Sequence, residues 1–139
     1  MCDHGDDVAI GTLIDRAFAK LAAAGARSVK LDAEIGPLSL PVGQASALTL
    51  IVNEFVADSV KHGFADGREG RIAVRVSNQA DPFALHCRDD GAGNDAAVAR
   101  VADSGWLGTR IITALSRSIG ADARWGSDGR GLTLDVVAR

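Results

Sequence analysis

Apolar positions along the chain change period several times, and each change marks an element. Ile10, Leu13, Ile14, Phe18 and Leu21 recur at helical spacing, so residues 8–24 are predicted to form an amphipathic helix that Gly25 stops. Val29, Leu31, Ala33 and Ile35 then alternate with Lys30, Asp32 and Glu34, the period of a half-buried strand. Pro37 and Pro41 bracket a short extended piece. Residues 44–64 return to helical spacing through Leu48, Ile51, Val52, Phe55, Val56 and Val60, and this longest helix is expected to pack centrally. A hairpin follows, with Ile72, Val74 and Val76 on one strand, a turn over residues 78–82, and Phe83, Leu85 and Cys87 on the other. After a Gly- and Asp-rich loop over residues 89–104, Leu107, Ile111, Ile112, Leu115 and Ile119 predict a further helix ended by Gly120. Residues 121–125 and 132–137 predict two closing strands around the turn 126–131.

Strands with one apolar face need a cover, and three helices with single apolar stripes supply it. The expected fold class is an α/β (α+β) two-layer sandwich, its mixed and mostly antiparallel sheet covered on one face by the helices.

Composition narrows this picture only a little. With 139 residues, the chain suits one domain over residues 8–139 behind a disordered leader at 1–7. A net charge of −3 with scattered Lys and Arg leaves no basic footprint, so no nucleic-acid partner is expected. Cys2 and Cys87 lie far apart without metal-ligand spacing and suit a reducing cytoplasm. No apolar run is long enough to span a membrane and the acidic N-terminus is unlike a signal peptide, so a cytoplasmic domain without direct membrane contact is expected.

Three clusters carry candidate chemistry. On the central helix, Glu54, Asp58 and Lys61 fall at i, i+4 and i+7 and share a stripe, flanked by Asn53 and His62. Spacing alone also fits a solvated polar face. The like-charge pair Glu54 and Asp58 costs about 0.2–0.5 kcal/mol on an isolated helix, which suggests a cation nearby. Carboxylates and an amide are hard oxygen ligands of the kind magnesium takes, and Lys61 is suited to meet a phosphate.

The second cluster is Asp89-Asp90-Gly91-Ala92-Gly93-Asn94-Asp95, directly after a strand. Glycines let the backbone approach a flat ligand, and a fixed carboxylate can accept from an exocyclic amine, although a plain tight turn fits as well. The acidic spacing is wrong for an EF-hand, and no Walker A or dinucleotide fingerprint is present. The third cluster, Ser104-Gly105-Trp106-Leu107-Gly108-Thr109-Arg110, opens a helix whose backbone N–H groups favour anions, while ordinary capping by Ser104 explains it equally.

In order and context these clusters resemble the N, G1 and G2 boxes of the GHKL ATPase superfamily. The segment from Leu38-Ser39-Leu40-Pro41 through Asn53-Glu54-Phe55-Val56-Ala57-Asp58-Ser59-Val60-Lys61-His62-Gly63-Phe64 looks most like the HWE and related (HisKA_2-type) bacterial sensor histidine kinases. The likeness covers roughly residues 8–138. It implies a Bergerat-type domain that binds ATP with Mg2+ and presents the γ-phosphate to a histidine outside this chain. It further implies that Glu54 is the catalytic proton acceptor or water organiser, with Asn53 beside it at the phosphate end, and that Asp58 is the magnesium ligand. Lys61 and His62 would face the phosphates, Asp89 would accept from the adenine amine, and Gly91 and Gly93 would shape the adenine pocket. Gly105, Leu107 and Gly108 would belong to the ATP lid, and Thr133 on the last strand would contribute to the ATP site.

Four positions depart from the family pattern. Asp58 stands where Asn is usual, Ser59 replaces the usual Ala, Trp106 interrupts Gly-Leu-Gly, and Leu132 separates Gly131 from Thr133. An added negative charge about 4 Å from a phosphate oxygen costs on the order of 4 kcal/mol at an effective dielectric near 20, so stricter metal dependence or weak ATP binding is expected. The histidines His4, His62 and His86 do not lie in a helical hairpin of the phosphoacceptor kind. The implied partners are therefore the phosphoacceptor and dimerisation domain of a parent kinase and, indirectly, a response regulator. Two alternatives stay open: a stand-alone serine kinase of the anti-sigma-factor type, and a degenerate docking domain that no longer binds ATP.

Overall fold

The computed structural model describes residues 7–23, 29–35, 39–59, 70–77, 83–90, 107–127 and 131–138. In chain order these form β1 (Asp7–Ala9), α1 (Ile10–Ala23), β2 (Val29–Ile35), β3 (Ser39–Pro41), α2 (Val42–Asp58), β4 (Gly70–Ser77), β5 (Ala84–Asp89), α3 (Leu107–Ser118), β6 (Ala121–Ser127) and β7 (Leu132–Ala138).

The main sheet has the order β2-β4-β5-β7-β6. Only β2 and β4 run parallel; β4 with β5, β5 with β7, and β7 with β6 are antiparallel. Period-two alternation gives the sheet two unlike faces. Ile72, Val74, Val76, Leu85, Cys87, Leu134 and Val136 are buried on the helix side. Arg71 and Arg75 stand on the open side, bonded across the strands to Asp32 at 3.1 Å and Glu34 at 3.6 Å.

All three described helices close one core with the sheet. Ile10, Ile14, Ala17 and Phe18 make one buried stripe of α1, while α2 buries Ala45, Ala47, Leu48, Ile51, Val52, Phe55 and Val56 and so lies centrally. Ile112 and Ser116 carry the buried side of α3, the Ser116 hydroxyl being satisfied by the Ile112 carbonyl at 2.8 Å. Gly120 ends α3 at φ +71°, a backbone that favours glycine.

Two boundaries differ from the sequence expectation. Residues 7–9, read as the end of a leader and the start of a helix, form a short strand instead, pairing Asp7 with Pro41, Val8 with Leu40 and Ala9 with Ser39. Helical spacing does begin at Ile10; the strand before it depends on an arm thirty residues away, which local periodicity does not report. The helix α2 starts at Val42, straight after Pro41, and its regular hydrogen bonding ends at Asp58. The predicted continuation to residue 64 lies outside the described residues beyond Ser59. Among the described residues, no helix is long and apolar enough to cross a membrane.

Candidate functional site

Where α2, β5 and β7 end or begin together, a carboxylate is held inside the protein. Asp89 is the last residue of β5, faces the helix side of the sheet, and is 1% exposed. Its Oδ2 accepts from the Ser59 hydroxyl at 2.5 Å, and its Oδ1 accepts from the Leu132 backbone N–H at 3.1 Å. Ser59 is itself 1% exposed, at the C-terminal cap of α2 with its backbone N–H directed to the Phe55 and Val56 carbonyls. One side chain therefore joins three elements. Buried polar groups are costly unless bonded, and these two bonds tie the carboxylate to the end of α2 and the start of β7.

Gly131 completes the arrangement. A Cβ there would collide with the Asp89 carbonyl oxygen and lie 2.7 Å from Oδ1 and 2.8 Å from the carbonyl carbon. Only a residue without a side chain lets β7 begin this close to the end of β5. The neighbouring Asp90 is engaged differently: its Oδ1 accepts from the Arg71 N–H at 2.6 Å and its own N–H donates to the Arg71 carbonyl at 3.2 Å, which continues the β4–β5 pairing by one step.

Asn53 and Glu54 are half-buried in the last two turns of α2, and Asp58 is the final residue of that helix. Leu107 and Gly108 form the first positions of α3. Lys61, His62, Gly91, Gly93 and Gly105 lie outside the described residues, as do Ser104 and Trp106. Thr133 is not brought to Asp89. It pairs with Arg88 and Gly126, which places it on the open face, and its Oγ1 covers Gly126, 3.1 Å from where a Cβ would stand. Leu132, one position earlier, is the residue of β7 that meets Asp89.

Ser59, Gly131 and the Leu132 backbone are the parts of this cluster that sequence reasoning did not assign to it. Ser59 had a signal, since a small hydroxyl replaces the usual Ala beside the N box. For the β7 parity the signal was the alternation of Leu132, Leu134 and Val136, which sends Thr133 to the other face.

A metal of the magnesium type takes one or two carboxylates together with phosphate oxygens and water. Glu54 and Asp58 stand one helical turn apart on α2. Among the described residues no group of three or more His, Cys, Asp or Glu forms a metal cage. On the open face, a hollow of about 510 Å³ is lined by Asp32, Glu34, Arg71, Arg75, His86 and Arg88. Its Arg71 and Arg75 are already matched by Asp32 and Glu34, and it lies across the sheet from Asp89.

No family model matches the chain. Its sequence is 25% identical over 118 residues to blue-light-activated histidine kinase 2 of Erythrobacter litoralis, covering 81% of this chain and 32% of that protein. The chain thus spans about a third of the length of the curated relative it matches. In three dimensions it superimposes on the histidine kinase domain of the Erythrobacter litoralis EL346 blue-light-activated kinase with a TM-score of 0.77 at 24% identity, covering 93% of this chain and 60% of that one. The mycobacterial sensor histidine kinase MprB gives a TM-score of 0.72 at 20% identity, with 95% of both chains covered. The five-stranded mixed sheet under its helices is thus the α+β fold seen in histidine kinase catalytic domains.

Proposed function

We propose that this chain is the ATP-binding catalytic domain of a two-component sensor histidine kinase, which binds Mg-ATP and presents the γ-phosphate to a histidine outside the chain. The buried Asp89 carboxylate, tied to α2 and β7 and followed by Gly91 and Gly93, is the observation that carries this reading. A carboxylate so held accepts from an exocyclic amine without reorganising, and the fold and the sequence likeness support the same assignment.

In this reading Asp89 binds the adenine amine and Glu54, with Asn53 at its side, orients the phosphate end or takes the proton. Lys61 and His62 contact phosphate oxygens, Gly105, Leu107 and Gly108 form the lid, and Asp58 holds the metal. Magnesium, when bound, supplies charge neutralisation at the phosphates. Phosphoryl transfer asks little covalent chemistry of the protein, so the residues act by positioning. The acceptor histidine belongs to the phosphoacceptor and dimerisation domain of the parent kinase, a response regulator receives the phosphoryl group afterwards, and the domain works in the cytoplasm.

Calorimetric titration with a non-hydrolysable ATP analogue, with and without magnesium, tests the reading. Magnesium-dependent binding by the 139-residue chain, lost in Asp89→Asn, is the expected result. A second reading, a degenerate docking domain, is favoured by Asp58 in the metal position and by Thr133 on the far face of β7. It requires that the wild type bind no nucleotide; recovery of binding in Asp58→Asn would then identify Asp58 as the cause.

A further inference from the structure

A single row of charged side chains crosses every strand on the open face of the sheet. Glu34 of β2 stands beside Arg75 of β4, Arg75 beside His86 of β5, His86 beside Asp135 of β7, and Asp135 beside Arg124 of β6. From one edge of the sheet to the other, the signs run minus, plus, histidine, minus, plus. Two adjacent pairs are in contact, Arg75 with Glu34 at 3.6 Å and His86 with Asp135 at 2.7 Å. Arg124 at the far edge is exposed and, among the described residues, has no ion-pair partner.

Reversed, this row is its own complement. Strict alternation over five strands would set like charge on like when the row is turned about its centre. His86, standing at that centre, shifts the phase so that every outer charge meets its opposite. A two-fold axis along β5, in the plane between two facing sheets, lays β2 over β6 and β4 over β7 of a second copy. Glu34 then meets Arg124 of that copy, Arg75 meets Asp135, and His86 on the axis meets itself, which is the self-complementarity an isologous contact requires.

The flanks of the row leave room for this approach. Ala73 on one side belongs to a hollow of about 510 Å³, and Ala84 on the other to one of about 230 Å³. In the same arrangement Ala73 faces Thr133 and Ser77 faces Val137, while Arg88 on the axis faces its own copy and opposes close contact. Five strands about 4.8 Å apart, with seven residues at about 3.3 Å each, make a face of roughly 500 Å². Two such faces bury roughly 1,000 Å², the low end for a specific contact, so the association is reversible and depends on concentration.

We propose that the open face of the sheet is a self-association surface, on which a second copy of this chain docks about a two-fold axis along β5, Glu34 against Arg124 and Arg75 against Asp135. This goes beyond the nucleotide reading and does not depend on it, because the face lies across the sheet from Asp89.

Within one chain Glu34 and Arg124 lie on opposite edges, four strand spacings or about 19 Å apart, so coupling between them reports contact between copies. Analytical ultracentrifugation of the 139-residue chain, up to about 1 mM, is expected to show a monomer–dimer equilibrium that weakens as salt rises. Glu34→Arg sets like charges together at both symmetry-related contacts, and so does Arg124→Glu. Each variant is expected to weaken its homodimer about tenfold or more, with thermal unfolding to confirm that it is folded. Mixed in equal amounts, the two variants restore both contacts, and the mixed dimer is expected to form about as tightly as the wild type. A wild type that stays monomeric at every concentration overturns the proposal, as does association indifferent to salt. Variants that dimerise like the wild type, or a mixture that associates no better than its components, overturn it equally.

Discussion

Phe55 of α2 stacks on Trp125 of β6, with ring centroids 6.2 Å apart and planes inclined by 24°. The contact joins the central helix to an edge strand of the sheet. Phe55 is 1% exposed, so its ring also fills the core beneath α2. Aromatic pairs contribute about 0.5–1.5 kcal/mol beyond their burial, and Phe→Ala in a core costs about 3–5 kcal/mol. Phe55→Ala is expected to lose stability in that range, and a double-mutant cycle of Phe55→Leu with Trp125→Leu to show a coupling of about 0.5–1.5 kcal/mol in urea unfolding. A coupling near zero would mean that the rings touch without stabilising one another.

Gly131 is needed for space, because a Cβ at that position meets Asp89 before it meets solvent. Gly131→Ala must push β7 away from β5 or turn the Asp89 carboxylate off its Leu132 anchor. Overpacking of this kind costs about 1–3 kcal/mol. The variant is expected to unfold at a lower temperature by several degrees and to bind Mg-ATP analogues more weakly than the wild type. Unchanged stability and binding would show that β7 shifts freely and that the close approach carries no weight.

On the open face of the sheet, His86 Nδ1 lies 2.7 Å from Asp135 Oδ1, across the β5–β7 register. Both side chains are well exposed to water, at 39% and 50%. Cross-strand polar pairs and exposed ion pairs are worth about 0.2–1 kcal/mol, so a cycle of His86→Ala with Asp135→Ala is expected to couple in that range. Since this face lies across the sheet from Asp89, nucleotide binding by either variant is expected to match the wild type. A marked loss of binding would place the ligand on the wrong side of the sheet in the present reading.

Much of this architecture is legible in the chain because it depends on neighbours in sequence. Ile72, Val74 and Val76 alternate, and that alternation makes β4 with one buried face; Ile10, Ile14 and Phe18 return every turn, and that makes α1. The pairing of β1 with β3 is not legible, since a three-residue strand shows too little alternation to differ from a helix start. The site divides in the same way. The strand leading to Asp89 and the glycines after it mark a held carboxylate, but its bond to Ser59 spans thirty residues, and no local pattern reports that contact. Thr133 shows how a motif can mislead where periodicity would not: matching Gly and Thr by type ignored that Leu132 and Leu134 already claimed the helix-side face of β7.

Cys87 ties stability to alkaline pH. Its thiol lies buried in β5, and desolvation, with the Asp135 carboxylate as the smaller cause, pushes its proton affinity up. An unfolded thiol ionises near pH 8.5, so the folded thiol keeps its proton where the unfolded chain has released it. A group whose folded pKa is raised contributes stability fully below the unfolded value, and that contribution is lost as the pH rises above it. Unfolding free energy is therefore expected to fall by about 1.4 kcal/mol per pH unit from this residue once the pH exceeds roughly 8.5. The background is favourable, because the chain has no tyrosine and the lysines are Lys20, Lys30 and Lys61. Urea unfolding at pH 8, 9 and 10 measures the slope in the wild type and in Cys87→Ala. The variant loses some packing at every pH, but its stability is expected to decline less steeply; parallel slopes in the two proteins would show that the buried thiol does not govern the alkaline limb.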